Sequence, residues 1–414
     1  MRGVHQRGVV TLMVVSILLA AALMLTLSSY KSVFYQIKRA QNELKDRQAH
    51  WQVEGGVECL YAYISAAPSQ LHTLSSATNT VLDDICKTDL NLTELYSYPV
   101  SAERYVIHSK SHSHAITKQF LYAEKTGLGT IQTTADLRIR GSAEIAPDVP
   151  RNKNSAGTYD CIAVRYKSQV SYEATTSSDL LTTLEPIAGG PYSGFSGECA
   201  NTHKTANSIS SNTSVDTGLF KQDYKQDTSL EPFKNYFGLG KTPSNLAEVK
   251  SHYQVVSLVT VVDGHDCADV IQTHFNAGKR KLWIEGHCII DSPVVIHGAY
   301  SLVVENGLFA AHGSMVFEGS IYHMVDMTSS EFSLANIASY WSDVSFKAAI
   351  QSYLGPTSVY FDNGAFEPKG GMTFDAEGGE VVLNGSYSID YSSANRLNNT
   401  PKALTWIAGS WNVE

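Results

Sequence analysis

The chain has 414 residues, enough for two or three domains. Its formal charge of −9 leaves no basic footprint, which disfavours nucleic-acid binding. Charged residues are 17%, below the average for soluble domains, while Ser, Thr, Tyr and Gly are plentiful, as suits an exported β-rich protein.

Val9 to Leu27 is nineteen residues without a charge, behind a leader carrying Arg2, His5 and Arg7. At about 1.5 Å per residue, such a helix crosses roughly 30 Å of hydrocarbon. The uncharged run extends to Tyr30, and no Pro occurs before Pro68. Apolar residues recur at Phe34, Ile37, Leu44, Trp51, Leu60 and Ile64, a loosely helical spacing. The expectation is one helix over 9–65, with a transmembrane half at 9–30 and an amphipathic half after it. A secretory signal peptide fits poorly, because no A-x-A site clearly follows the apolar run. A plain single-pass anchor fits the same composition. Lys31, Lys38, Arg39, Lys45 and Arg47 outnumber the leader's arginines, so the positive-inside rule alone leaves the large domain in the cytoplasm. The cysteines argue the other way.

The basic leader ending in Gly8, followed by Val9-Val10-Thr11-Leu12-Met13, resembles the class III signal of type IV prepilins. The stretch Gln48-Ala49-His50-Trp51-Gln52-Val53-Glu54-Gly55-Gly56-Val57-Glu58 is similar to the Ala/Glu/Gly segment of PilX-type minor pilins. The resemblance covers roughly residues 1–65. It implies cleavage of the 1–8 leader between Gly8 and Val9 by a prepilin peptidase, with methylation of the new amine. The implied location is the inner membrane, single-pass with the C-terminal part periplasmic, and then the pilus fibre or cell surface. The implied partners are other pilins and minor pilins, the inner-membrane assembly machinery and a surface receptor. Major pilins carry a glutamate five residues into the mature chain, able to neutralise a neighbour's N-terminal ammonium inside the membrane. Met13 stands at that position here. The departure implies an initiating or tip-proximal subunit rather than the bulk fibre subunit.

Beyond the helix, Asp83-Asp84-Ile85-Cys86 reads as the anchor of a helix-and-loop connection over 66–95. Alternation at Glu103-Arg104-Tyr105-Val106-Ile107, at Ala135 to Arg140 and at Cys161 to Tyr172 predicts strands. Residues 66–190 are expected to form a pilin-like β domain, with 100–190 as an antiparallel sheet packed on the amphipathic half-helix, an arrangement the resemblance implies as much as the pattern does. Residues 191–230, rich in Gly, Ser and Asn, read as a linker. Residues 231–414 predict a helix at Asp269 to Ala277 and then short strands punctuated by glycine. Among these strands are Lys281-Leu282-Trp283-Ile284, Ser301-Leu302-Val303-Val304, Ile321 to Val325, Met372-Thr373-Phe374 and Glu380-Val381-Val382-Leu383. That pattern favours a β-solenoid over a sandwich, without a strict repeat length. The fold class expected is therefore α+β: a long N-terminal α-helix on an antiparallel β domain, then a C-terminal β-rich, solenoid-like domain. Some PilX-like proteins end similarly, in a segment like Gly409-Ser410-Trp411.

Six cysteines, Cys59, Cys86, Cys161, Cys199, Cys267 and Cys288, contain no C-x-x-C pair. In an exported chain they read as disulfides. Fifteen connectivities are open, and loop size alone favours pairing sequence neighbours.

Motifs that carry chemistry are weak. Gly238-Leu239-Gly240-Lys241-Thr242 lacks the first glycine of a phosphate loop, which would fall at Asn235, and Pro243 follows it. A turn is the expectation. His112 and His114, near His108, would share one strand face but have no acidic or thiol neighbour in sequence. Asp375, Glu377 and Glu380 do not follow a calcium-loop spacing. Asp291, Glu305 and Glu318 are scattered, and no G-x-S-x-G elbow occurs. Neither catalysis, a metal nor a cofactor is expected. The leading expectation is a minor-pilin-like structural and interaction protein. The alternatives are a type II secretion tip pseudopilin and a membrane-anchored β-solenoid protein acting on glycans.

Overall fold

The computed structural model describes residues 6–75, 79–101, 103–124, 126–173, 178–182, 197–209, 214–215, 219–312, 315–364, 366–397 and 402–413. The chain divides into two units, one of residues 1–123 with 403–414, the other of residues 124–402.

The first unit begins with α1 (Gln6–Ala66), 61 residues without a break. No Pro interrupts it, and Ala67 and Pro68 end it because Pro supplies no donor and disfavours helix in the residue before it. Its core-facing stripe is Val53, Val57, Leu60 and Ile64, all fully buried at i, i+4, i+7 and i+11. Phe34, Ile37, Leu44 and Trp51, expected on that stripe, are exposed instead. The stripe packs on strands β1 (Glu94–Pro99), β2 (Arg104–Lys110) and β3 (Ala115–Glu124). These pair antiparallel, Tyr96 opposite His108 and Ile107 opposite Lys118. Leu95, Ile107, Ile116 and Phe120 fill the space between helix and sheet.

The second unit opens with β4 (Ile131–Thr133), β5 (Asp136–Arg140), β6 (Ala143–Ile145), β7 (Val164–Tyr166), β8 (Val170–Glu173) and β9 (Ser178–Leu181). Then come β10 (Ala206–Ile209), β11 (Ser214–Val215) and β12 (Tyr224–Gln226). Helices α2 (Pro232–Phe237) and α3 (Pro243–Ser251) precede β13 (Gln254–Leu258), α4 (Val261–Gly264) and α5 (Cys267–Asn276). Strands β14 (Lys281–Gly286), β15 (Cys288–Ile290), β16 (Val295–Ile296), β17 (Ser301–Glu305), β18 (Phe309–Ala311), β19 (Val316–Phe317) and β20 (Ser320–Met324) follow. After α6 (Leu334–Ser342) and α7 (Lys347–Ile350) come β21 (Ser358–Asp362), β22 (Met372–Asp375), β23 (Glu380–Asn384) and β24 (Tyr387–Ile389).

Two long sheets organise these strands. One runs β12-β7-β4-β22-β20-β17-β14-β13, the other β11-β8-β5-β23-β21-β18-β15. Apart from the β11–β8 pair, which is antiparallel, their pairings are parallel. Within 100–190 the antiparallel expectation holds for β2 and β3 and is corrected for β4, β5, β7 and β8, which pair in parallel, β4 with β7 and β5 with β8. Beyond β3 antiparallel strand pairing in this unit is confined, among the described residues, to β9 with β10 and β8 with β11, and Ile131 lies beside Met372 rather than beside a sequence neighbour. The reason is connection length. The links from β1 to β2 and from β2 to β3 are short enough for hairpins, whereas the strands of the two long sheets meet their parallel partners only after long crossovers.

Like residues stack along the ladders. Leu282, Leu302, Ile321, Met372, Ile131, Val164 and Tyr224 are successive register partners, and all are buried. Cys288, Phe309, Tyr360, Val381, Leu137 and Val170 do the same in the other sheet. Buried on both faces, such strands read as continuous apolar runs, which is why they were visible in sequence while their partners were not. Turns between strands pack backbone on backbone. A Cβ on Gly307 would lie 1.8 Å from the Gly286 carbonyl oxygen, so no larger residue fits there.

The last turn of this unit, β22 and β23, pairs with its first, β4 and β5, in the middle of both sheets. The chain thus enters and leaves the second unit at adjoining turns. Helix α5 packs on β15, with Ala268 and Ile271 buried, and covers an edge that would otherwise template further strands. The segment 191–230 lies partly outside the described residues. Its described part holds Cys199, a short turn at Asn201–His203 and strands β10 to β12, so it is not a plain linker.

Beyond 402 the chain returns to the first sheet. Strand β25 (Lys402–Trp406) lies beside β3, and β26 (Asn412–Val413) pairs with it antiparallel, Val413 opposite Ile116.

Candidate functional site

The feature that demands a function is the first two thirds of α1. Val9 to Gln48 is exposed throughout, including Val9, Leu12, Leu18 and Leu25, and Met13 is 64% exposed. Eleven of the nineteen residues from Val9 to Leu27 are Leu, Ile or Val. At the centre of a bilayer these favour insertion by roughly 3–7 kcal/mol in all. The hydroxyls of Ser16 and Thr26 donate to the carbonyls of Leu12 and Leu23, at 2.9 Å each, so neither brings an unpaired donor into hydrocarbon. The next charge after this stretch is Lys31, and further on Lys38 lies over the Phe34 ring and Arg47 pairs with Glu43.

From Trp51 onward the same helix becomes a packing element. Gly56 makes this possible. A Cβ on Gly56 would fall 2.4 Å from Ser109 Oγ and 2.6 Å from Leu92 Cδ1, so a glycine is needed for the helix to seat on β2. Gly55, by contrast, has room, its nearest neighbour being Leu90 at 3.6 Å. Three side-chain ties hold the contact. Asp46 meets His114 Nε2 at 2.8 Å, Glu58 meets Lys118 at 2.9 Å, and Cys59 is bonded to Cys86.

The C-terminal segment completes this surface. Trp406 stacks on Tyr61 with centroids 4.0 Å apart, and the Tyr61 hydroxyl donates to the Leu404 carbonyl. The Lys118 ammonium lies 3.9 Å from the Trp406 ring and 4.8 Å from that of Trp411, a pair of cation–π contacts. Ser410 Oγ accepts from the Gln119 amide. The Gly409-Ser410-Trp411 segment is thereby a clasp on β3. Nothing in its local sequence names its partner 291 residues away.

The sequence-derived sites distribute as follows. Gly8 falls within α1, while Met1 to His5 of the leader lie outside the described residues. Val9 and Met13 sit on the exposed apolar surface. The three disulfides are Cys59–Cys86, Cys161–Cys199 and Cys267–Cys288, the sequence-adjacent pairs. The first ties α1 to a helical turn at Asp83–Lys87, and the third ties α5 to β15.

The remaining motifs are occupied locally. Gly238 ends α2 in a left-handed conformation, and Thr242 caps α3 by accepting from Asn245. Lys241 pairs with Asp375 at 2.6 Å. His112 lies in the hairpin turn between β2 and β3 rather than on a strand. His114 turns to Asp46, and His108 faces Glu94 at 3.6 Å. Glu377 pairs with Lys167, and Glu380 with Arg138. Asp291 meets His265 at 3.1 Å, and Glu318 receives the Gly298 amide. Glu285 and Glu305 are register partners that share the Lys250 ammonium. Hydrogen bonds from Lys250 and Ser257 hold Glu285 below the usual carboxylate range, as an ionised partner and not a proton donor. Among the described residues no group of three or more His, Cys, Asp or Glu is placed to hold a metal ion.

No family model, no curated protein and no solved structure matches this chain.

Proposed function

We propose that this protein is a minor-pilin-like structural and interaction protein of a type IV pilus. The observation that carries the reading is α1, a single helix whose first forty residues from Val9 are exposed and apolar at their start, while Val53, Val57, Leu60 and Ile64 are buried. A rod of that kind needs a second apolar environment, first lipid and then the helices of sibling subunits. In this reading a prepilin peptidase cuts between Gly8 and Val9. Met13 leaves the chain without the carboxylate that pairs with a neighbour's amine, so it initiates or tips the fibre. The rest is displayed outward for contact. The closely related reading, a type II secretion tip pseudopilin, uses the same helix and differs in the machinery that copurifies with it.

We further infer that residues 124–402 form a β-solenoid. The support is the ladder order, in which two parallel sheets carry the same succession of turns and circuits such as β14 to β17 and β17 to β20 take roughly 20 residues. Such a body suits display, because it is rigid and its turns vary without disturbing the core. A membrane-anchored enzyme acting on glycans stays the alternative for this body.

Mass spectrometry of the N-terminus of the purified protein tests the main reading. A chain beginning at a methylated Val9 is expected. An intact Met1 overturns it in favour of a plain anchor. Gly8→Leu, which blocks access to the scissile bond, is expected to abolish both processing and incorporation into fibres.

A further inference from the structure

One hollow of the second unit, about 600 Å³, is lined by charged and amide side chains. Ile162 and Tyr224, both buried, line its depth, and Tyr224 is backed by Phe220 with centroids 4.4 Å apart. Its walls are rigid. The Cys161–Cys199 bond anchors the segment next to Asp160 and Ile162, and the Arg165 guanidinium donates to the carbonyls of Gly127 and Leu128 while pairing with Asp227 at 3.1 Å. The loop across from it is pinned by Asn154, which accepts from Ala156 and Thr158 and donates to Asp160.

With Arg165 and Asn154 committed to the walls, the groups left for a ligand are on the rim. Lys153 and Lys225 line the hollow and have no carboxylate partner among the described residues. Asp160, the acid that lines it, is taken up by Asn154 at 2.7 Å and lies 3.7 Å from His203. Asn152 and Gln222 present amide side chains that make no hydrogen bond among the described residues. A chain of net charge −9 has thus placed around one cleft two ammoniums that no carboxylate pairs among the described residues, that of Lys153 lying 5.5 Å from the Tyr159 ring, and two amides, with Asp160 as the one acid beside them. Lysines act as point charges and amides match hydroxyls, whereas a phosphate is best held by a free arginine fork or a helix terminus, neither of which is offered. The volume is that of an ordinary small-molecule site.

We propose that this hollow binds a carboxylate-bearing sugar, Lys153 and Lys225 taking the carboxylate and Asn152 and Gln222 the hydroxyls. This deepens the contact function proposed above by naming its ligand class. It draws on that reading for its biological use, while its geometry stands apart from the N-terminal helix.

The test is titration calorimetry of the full chain in detergent with trigalacturonate, with sialyllactose and with neutral lactose. Saturable binding of at least one acidic probe is expected, at least tenfold tighter than lactose and weakened by salt. The probe that binds distinguishes a uronate from a sialic acid. The Lys153→Gln/Lys225→Gln variant, changed only at exposed positions, is expected to lose at least tenfold while retaining its three disulfides and its circular dichroism. Gln222→Ala is expected to weaken all sugars to a similar degree. Failure of both acidic probes to saturate, lactose binding as tightly as they do, or an unchanged double variant would overturn the proposal. A methylated Val9 together with any of those results removes this inference and leaves the pilin reading in place.

Discussion

The two units hold their strands together by opposite means. The first uses hairpins for β1 to β3, so Tyr105 faces Phe120 across strands that are also neighbours in sequence, and only β25 and β26 join from afar. The second stacks strands in parallel, so Leu137 lies between Val381 and Val170. Hairpin pairing costs little loop entropy and tolerates local error. Parallel stacking depends on close backbone approach at the turns and on caps at the ends. The difference predicts that the second unit is sensitive at turn glycines and buried polar residues, and the first at the helix–sheet contact.

The largest effect is expected at Gly307. Replacement by Val drives a side chain into the Gly286 carbonyl, and both atoms are backbone-fixed. A loss of about 4 kcal/mol or more is expected, or failure of the second unit to fold, read by chemical denaturation and disulfide mapping. A Gly307→Val protein as stable as its parent would break the parallel half of the comparison.

Next are the disulfides, whose sequence separations are 27, 38 and 21 residues. Each removes denatured-state entropy worth roughly 3–4 kcal/mol in the loop-closure model. Cys267→Ser/Cys288→Ser is expected to loosen α5 from β15, read as faster amide exchange in Cys267–Asn276, whereas Cys59→Ser/Cys86→Ser is expected to loosen the turn at Asp83–Lys87 on α1.

Acid sharpens the contrast further. His287 accepts the Leu308 amide at Nδ1, His323 meets the Gly307 carbonyl at Nε2, and burial pushes both pKa values down to about 4. Unfolded, each returns to about 6.5 and binds a proton that the folded state refuses. Stability is therefore complete above about pH 6.5 and falls as pH drops towards 4, by up to ~3 kcal/mol for each histidine. Denaturation midpoints measured from pH 7.5 to 4.5 should follow that slope. His323→Gln should flatten it, and an unchanged slope would refute the assignment.

The smallest effects separate two adjacent glycines of α1. Gly56→Ala meets Ser109 and Leu92 and is expected to cost about 1–3 kcal/mol. Gly55→Ala meets nothing closer than 3.6 Å and should gain up to ~1 kcal/mol from helix propensity. Equal effects at the two positions would show that the helix does not seat on β2 as described.

These contrasts also separate what was legible from what was not. The apolar run from Val9 and the unbroken helix were readable because both are local: composition sets the one, the lack of Pro the other. The short strands were readable as apolar runs, whereas Thr242-Pro243, read only as part of a turn, starts α3 with Thr242 as its cap. The buried stripe of α1 was only half readable. Leu60 and Ile64 belong to it, but Trp51 and Leu44 have the same spacing and face outward, since the sheet begins to cover the helix only near Val53. Lys118, Trp406 and Trp411 were not readable as one cluster, because they meet only after the chain has traversed the second unit.

The amino-acid sequence by itself determined a membrane-length helix, the presence of short buried strands and a set of cysteines whose loop sizes favour neighbouring partners. Each depends on interactions within a few residues or on the short reach of a loop. Tertiary structure alone decided that most strands pair in parallel, that Met372 lies beside Ile131, and that the last residues of the chain complete the first sheet. In a parallel sheet buried on both faces every strand is simply apolar. Which strand lies beside which is then decided by backbone hydrogen bonds and close packing between distant segments, and these leave no mark on either segment alone.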